Sequence, residues 1–194
     1  SDFVPVCEAL DLAAVGDMRF VLPNADEMPV TINGGYVMPA WYDIRSGDLL
    51  QREDEAGLRR SQGVVQALID REIERGVAAD RIVLMGFSQG CAMTLMTGLR
   101  CPHKLAGLVG LSGYLPLALK TAAECHVANA ATPIFMAHGR RDPAAHRRAA
   151  RHAAGGRGIR LGRHRLGRTH HADAGDLVRL PLGRPPQADV LVGH

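Results

Sequence analysis

The chain has 194 residues, 46% of them hydrophobic, and a formal net charge of +3. That length suits one domain with a sizeable core, and the apolar content excludes wholesale disorder. No apolar stretch approaches the roughly 18 residues of a membrane span, and no signal peptide is read at the start.

Residues 1–10 carry a cap in Ser1 or Asp2 and then apolar residues at helical spacing, so Phe3, Val6, Cys7 and Leu10 are expected to share one face. Residues 18–22 read as a short strand closed by Pro23-Asn24. Residues 31–44 hold the only tryptophan and two of the three tyrosines, with Asn33-Gly34 as a hairpin signal. Aromatic residues gathered in a loop suit a binding-site wall or the loop's own packing, and both readings stay open on local grounds. Residues 53–75 form an amphipathic helix with Leu58, Val65, Leu68, Ile69 and Ile73 as its stripe. Glu53, Asp54 and Glu55 sit in its first turn, where the dipole favours them, and Gly76 stops it.

The next stretch organises the rest. Ile82-Val83-Leu84-Met85 is an uninterrupted apolar run, expected to be a strand buried on both faces. Gly86-Phe87-Ser88-Gln89-Gly90 follows, then a small, apolar segment, residues 91–99, that reads as a buried helix. Strand, G-x-S-x-G turn and helix are the context of a nucleophile elbow. A serine held in so tight a turn needs Gly86 and Gly90 beside it, because a Cβ there would keep strand and helix apart. The turn lifts the Ser88 hydroxyl to the carboxyl end of the sheet and aims the Gln89 backbone N–H at a developing oxyanion. The alternative is a glycine-flanked turn whose serine only caps the helix.

Residues 105–111 form another buried strand, ending at Ser112-Gly113-Tyr114. Residues 115–130 are a partly helical connector, and residues 133–137 a further strand that leaves His138 to Pro143 at its carboxyl end. Strands alternating with helices imply a parallel α/β sheet, whose sites gather outside the strands' carboxyl ends. Ser88, Ser112 and Asp142 all fall just past such an end. Asp142 would accept the Nδ1–H of a histidine and stabilise its imidazolium; alternatively it only starts an Asp-Pro turn. An acid on a later strand's loop, after the serine, favours the first.

Six pieces of residues 1–143 resemble the bacterial carboxylesterase and acyl-protein thioesterase (phospholipase/carboxylesterase) family of α/β-hydrolases: SDFVPV at the start, RFVLPNA at 19–25, PVTINGGY-VMPAWYDI at 29–44, GFSQG at 86–90, LAGLVGLSGYLP at 105–116 and PIFMAHGRRDP at 133–143. The resemblance implies a mostly parallel sheet flanked by helices. It makes Ser88 the nucleophile, Asp142 the triad acid and the Gln89 N–H one oxyanion donor. It also implies hydrolysis of carboxylic esters and thioesters without a cofactor, in a cytoplasmic and often homodimeric protein. Members of the family have an earlier strand and a His-Gly-x-Gly-type loop with a second oxyanion N–H. This sequence reads as N-terminally truncated after that loop, which would expose a sheet position.

Residues 144–194 depart from the family. They contain no Glu, Lys, Phe, Tyr or Trp and one isoleucine, Ile159, among repeated Arg, Ala, Gly and His. Charge divides with them: residues 1–124 hold 11 basic and 16 acidic side chains, residues 125–194 hold 12 and 4. The chain therefore divides into a hydrolase core, 1–143, and an atypical tail. The tail's composition fits a frame-shifted reading of a GC-rich gene, or else a divergent, disordered basic extension. The resemblance calls for a triad base in this part of the chain, and His171 is the choice, with His170 second, because family spacing puts the histidine about thirty residues after the acid; alternatively both are incidental histidines of the tail and no histidine of this chain is the base. Cys7, Cys91, Cys101 and Cys125 show no metal or redox spacing and read as free thiols of a reducing compartment. No histidine pair has acidic company, so no metal is expected.

The leading function is a serine ester hydrolase acting on a small-molecule acyl ester or thioester, with Trp41, Tyr42 and Leu115 as pocket walls. An inactive, truncated hydrolase remnant is the second reading. The third is a polyanion binder using the Arg-rich tail, disfavoured because that tail lacks aromatic interleaving or a recognisable nucleic-acid motif.

Overall fold

A computed structural model describes residues 3–12, 16–138 and 188–193. In chain order its elements are α1 (Val4–Ala9), β1 (Met18–Val21), β2 (Glu27–Val30), β3 (Tyr36–Pro39), α2 (Glu55–Glu74), β4 (Ile82–Phe87), α3 (Gln89–Arg100), β5 (Gly107–Leu111), α4 (Ala118–Glu124), β6 (Ile134–Ala137) and β7 (Ala188–Gly193). Five of the strands form a sheet in the order β1-β7-β4-β5-β6, every neighbouring pair parallel. The other two, β2 and β3, form a separate antiparallel pair.

The apolar run at residues 82–85 explains the sheet's position. Ile82 and Leu84 are buried in a cluster with Ile69 of α2, Leu95 and Leu99 of α3, and Leu108 of β5. Val83 and Met85 point the other way and pack around Phe3 with Met18 and Phe20. Both faces of β4 therefore meet apolar side chains, as a continuous run requires. A third cluster, containing Trp41, Tyr42, Leu58, Val65, Met93, Met96 and Tyr114, fills the space between α2, α3 and the loops above the sheet.

Helix α2 keeps the expected stripe, with Leu58, Val65 and Ile69 buried and Leu68 and Ile73 packed against the core edge. Asp54 is its N-cap, accepting the Gly57 N–H at 3.2 Å, so the helix begins two residues later than the charge pattern suggests. At its other end Gly76 has φ 96°. Its N–H donates to the Ile73 carbonyl and that of Val77 to the Glu72 carbonyl, which reverses the chain. Helix α1 differs from its expectation. Phe3 is buried but Val6 and Leu10 stay exposed, because six residues make fewer than two turns and only one end of so short a stripe reaches the sheet. Asn33-Gly34 lies in a five-residue connection, residues 31–35, between β2 and β3 rather than in a two-residue turn; Gly34 and Gly35 both take positive φ there.

Strand β7 overturns the expected open sheet position. It lies between β1 and β4, with Val190 opposite both Phe20 and Val83. A parallel strand must satisfy its backbone N–H and C=O groups on both sides, and a short apolar run of the right direction does so whatever its place in the chain. Among the described residues, β1 has no other strand partner.

Three helix segments are tied together at Glu124. Its Oε1 accepts from Arg59 Nη2 of α2, and its Oε2 from Arg100 Nε at the end of α3, both at 2.7 Å. These two guanidinium groups, Arg59 first, hold the Glu124 carboxyl at about 2, down from an ordinary 4.5. A carboxylate whose folded value is depressed adds stability above its unfolded value and loses it as pH falls toward the folded one. Glu124→Gln is therefore expected to lower unfolding free energy by about 1 kcal/mol at pH 7. The gap from the unsubstituted chain should close between pH 4.5 and 2 in urea titrations. A gap independent of pH would show that charge has no part in the link. No helix among the described residues is long and apolar enough to cross a membrane.

Candidate active site

Ser88 occupies the junction of β4 and α3 with φ 54° and ψ −114°. An L-residue holds such a conformation only where its surroundings impose it, at a cost of about 1–3 kcal/mol. Three features impose it here. The Ser88 N–H donates to the Leu111 carbonyl at the end of β5 (2.9 Å). A Cβ on Gly86 would lie 2.1 Å from the Gly90 carbonyl oxygen, so strand and helix touch backbone to backbone at that point. A Cβ on Gly113 would lie 2.7 Å from the Ser88 carbonyl oxygen, so the chain leaving β5 also passes without room for a side chain. The result is an exposed Ser88 at the rim of the sheet.

A cleft of about 360 Å³ opens beside it, lined by Tyr42, Ile44, Leu49, Phe87, Gln89 and Tyr114 together with Ser88, Ser112 and Gly113. Ser112 also has a positive φ, 48°, and its N–H is held by the Ala137 carbonyl at 2.8 Å. Two adjacent strand ends thus turn sharply at the same rim. Gln89 is the first residue of α3, where backbone N–H groups have no partner within the helix and carry its positive dipole end.

The predicted wall residues fall in different places. Tyr42 lines the cleft, while Trp41 lies buried beneath it beside Leu58 and Met93. Leu115 sits in the core cluster under the sheet rim and does not line the cleft. Burial, then Tyr114 beside it and hydrogen-bonded to it, pushes the Tyr42 phenol well above its usual range, so it stays neutral. Glu53, half-buried, has its carboxyl raised by burial against the opposing pull of the Leu117 N–H, which it accepts at 2.9 Å. Ile44 belongs to the 31–44 loop expected as a wall, whereas sequence reasoning missed Leu49 and Tyr114 as lining residues. Their only signal was apolar character close to the aromatic loop or to Ser112.

Asp142, His171 and His170 lie outside the described residues. Of the histidines that are described, His103 is 3.7 Å from Asp70 on the surface and His126 Nδ1 accepts the Ala128 N–H. His138 follows β6, half-buried. None of them lines the cleft. Among the described residues no group of three His, Cys, Asp or Glu side chains is placed to hold a metal ion.

Comparison with known proteins agrees with this geometry. Residues 7–154 match the phospholipase/carboxylesterase family. Acyl-protein thioesterase 1 of Schizosaccharomyces pombe is 45% identical over 126 residues, covering 65% of this chain and 56% of that protein. The Neurospora crassa protein of the same name is 49% identical over 134 residues, covering 66% and 55%. The chain thus spans about half the length of the curated relatives it matches. Among solved structures, Arabidopsis thaliana SOBER1 superposes with a TM-score of 0.60 at 27% identity, covering 65% of this chain and 76% of that one. Zea mays acyl-protein thioesterase 2 superposes with a TM-score of 0.54 at 26% identity, covering 69% and 66%. A parallel sheet flanked by helices, a serine on a strained strand-to-helix turn and a family match over most of its length agree: the chain belongs to the phospholipase/carboxylesterase family of α/β-hydrolases.

Proposed function

We propose that the protein is a serine hydrolase of carboxylic esters and thioesters. The observation that carries this is the exposed Ser88, held at φ 54° beside a cleft that Ile44, Leu49 and Phe87 help to line. Ser88 Oγ attacks the acyl carbon while His171 takes its proton, and Asp142 holds the histidine's tautomer and stabilises the imidazolium. The Gln89 N–H, at the dipole end of α3, stabilises the oxyanion. The leaving alcohol or thiol takes the proton back from the histidine. Water then attacks the acyl-serine with the same base, releasing the carboxylic acid. The substrate class is supported by the apolar side chains of Ile44, Leu49 and Phe87 in the cleft and by the relatives' name, which suggests acyl chains carried as thioesters on proteins. Thiols at Cys7, Cys101 and Cys125 that form no disulfide fit a reducing, cytoplasmic setting.

Fluorophosphonate labelling tests the mechanism, because the probe reacts only with an activated serine. The chain is expected to take the label and to hydrolyse p-nitrophenyl acetate. Ser88→Ala should lose the label and lower turnover by about 10³-fold or more. His171→Ala should slow labelling more than His170→Ala does. Labelling that survives Ser88→Ala would refute the assignment.

A further inference from the structure

The cleft's aromatic wall is tied directly to the elbow. Residues 41–43 lie outside regular helix or strand hydrogen bonding, so their backbone polar groups need partners from elsewhere. Side chains provide them. The Trp41 N–H donates to Gln89 Oε1 at 2.8 Å, and Gln89 Nε2 donates to the Tyr42 carbonyl at 3.0 Å. Ser61 Oγ of α2 donates to the Trp41 carbonyl, and the Asp43 N–H donates to Asp54 Oδ2 at 3.1 Å. Gln89 is thus the residue next to Ser88 and also the clip on a wall 47 and 48 residues earlier in the chain.

An amide suits this clip because it offers an acceptor and a donor in one plane, matching an N–H and a C=O on successive residues. A carboxylate would keep the first bond and set oxygen against oxygen at the second. An aliphatic side chain would lose both. With both bonds made, Trp41 is 6% exposed and Tyr42 3%, and the wall stands at a fixed distance from the Ser88 turn.

We propose that the Gln89 side chain is a positioning residue that sets acyl-chain selectivity, by holding residues 41 and 42 against the elbow. The proposal rests on the hydrolase reading above. Its test compares the unsubstituted chain with Gln89→Leu and Gln89→Glu in two measurements. Trp41 is the only tryptophan, so its emission and acrylamide quenching report the wall's position without any turnover. Quenching should rise in Gln89→Leu and by less in Gln89→Glu. The ratio of kcat/KM for p-nitrophenyl octanoate to that for p-nitrophenyl acetate should fall about tenfold in Gln89→Leu, with the loss in KM. Unchanged quenching overturns the proposal. So does higher quenching with an unchanged ratio, which would make the clip merely structural, or an equal loss for both esters carried by kcat. Should the unsubstituted chain neither turn over an ester nor take a fluorophosphonate, the hydrolase reading fails separately. Octanoate and acetate titrations followed by Trp41 emission then decide the clip, with the same tenfold fall in affinity ratio expected.

Discussion

Gly86→Ala is expected to destabilise the fold by about 3 kcal/mol or more and to abolish ester turnover with it. The added Cβ would lie 2.1 Å from the Gly90 carbonyl oxygen, 2.2 Å from the Gly90 carbonyl carbon and 2.7 Å from the Cys91 nitrogen. All three are backbone atoms of the first turn of α3, so no side chain can swing aside. Relief requires moving the helix away from β4. That movement would open the contact that keeps Ser88 at its positive φ and would withdraw the Gln89 N–H from the rim. The effect differs in kind from Ser88→Ala, which removes the proposed nucleophile and leaves the packing intact. Thermal unfolding of both variants separates them: Gly86→Ala should fall well below the unsubstituted chain, Ser88→Ala should not. A Gly86→Ala protein that melts normally and hydrolyses esters would show that the close approach of strand and helix is not required.

Val190→Pro is the second change expected to be severe. Val190 sits at the middle of β7, opposite Phe20 on one side and Val83 on the other. Proline has no N–H for the ladder, and its ring crowds the neighbouring strand, which is why it is confined to sheet edges. Breaking this strand strips β1 of the one strand partner it has among the described residues and turns β4 into an edge. The register of β7 also runs alongside the elbow, with Val192 opposite Met85 and Gly193 opposite Gly86. The expected outcome is a loss of about 3 kcal/mol and a marked fall in fluorophosphonate labelling. Urea unfolding followed by far-UV circular dichroism reads the first, and gel fluorescence reads the second. An unchanged unfolding midpoint would mean that β7 has no place in the sheet.

Local rules made much of this molecule readable. The stripe at residues 58, 65 and 69 identifies α2, and the apolar run at 82–85 identifies a strand covered on both faces. The glycines at 86 and 90 mark a serine forced out of the pleat. Each signal lies within a few residues of the structure it specifies, because periodicity and backbone sterics act over one or two turns. Other features had no such local signal. Residues 188–193 looked like part of an atypical tail, since a short apolar run says nothing of which strands it will join. Trp41 and Tyr42 are neighbours of equal promise in sequence, and both are buried, yet only Tyr42 lines the cleft. Asn129 looks like an ordinary loop residue. In the fold it donates to the Cys101 and His103 carbonyls and accepts the Leu105 N–H, closing the turn between α3 and β5.

The amino-acid sequence by itself determined the strand-turn-helix unit that exposes Ser88, the alternation of helices and strands, and the family. These follow from contacts between residues close in the chain. Tertiary structure alone decided that β7 lies between β1 and β4, that Gln89 clips the 41–42 backbone, and that Glu124 joins α2, α3 and α4. Those partners are 24 to more than 100 residues apart. Hydrogen bonds and ion pairs over such separations form only where the packed core has already brought their elements together.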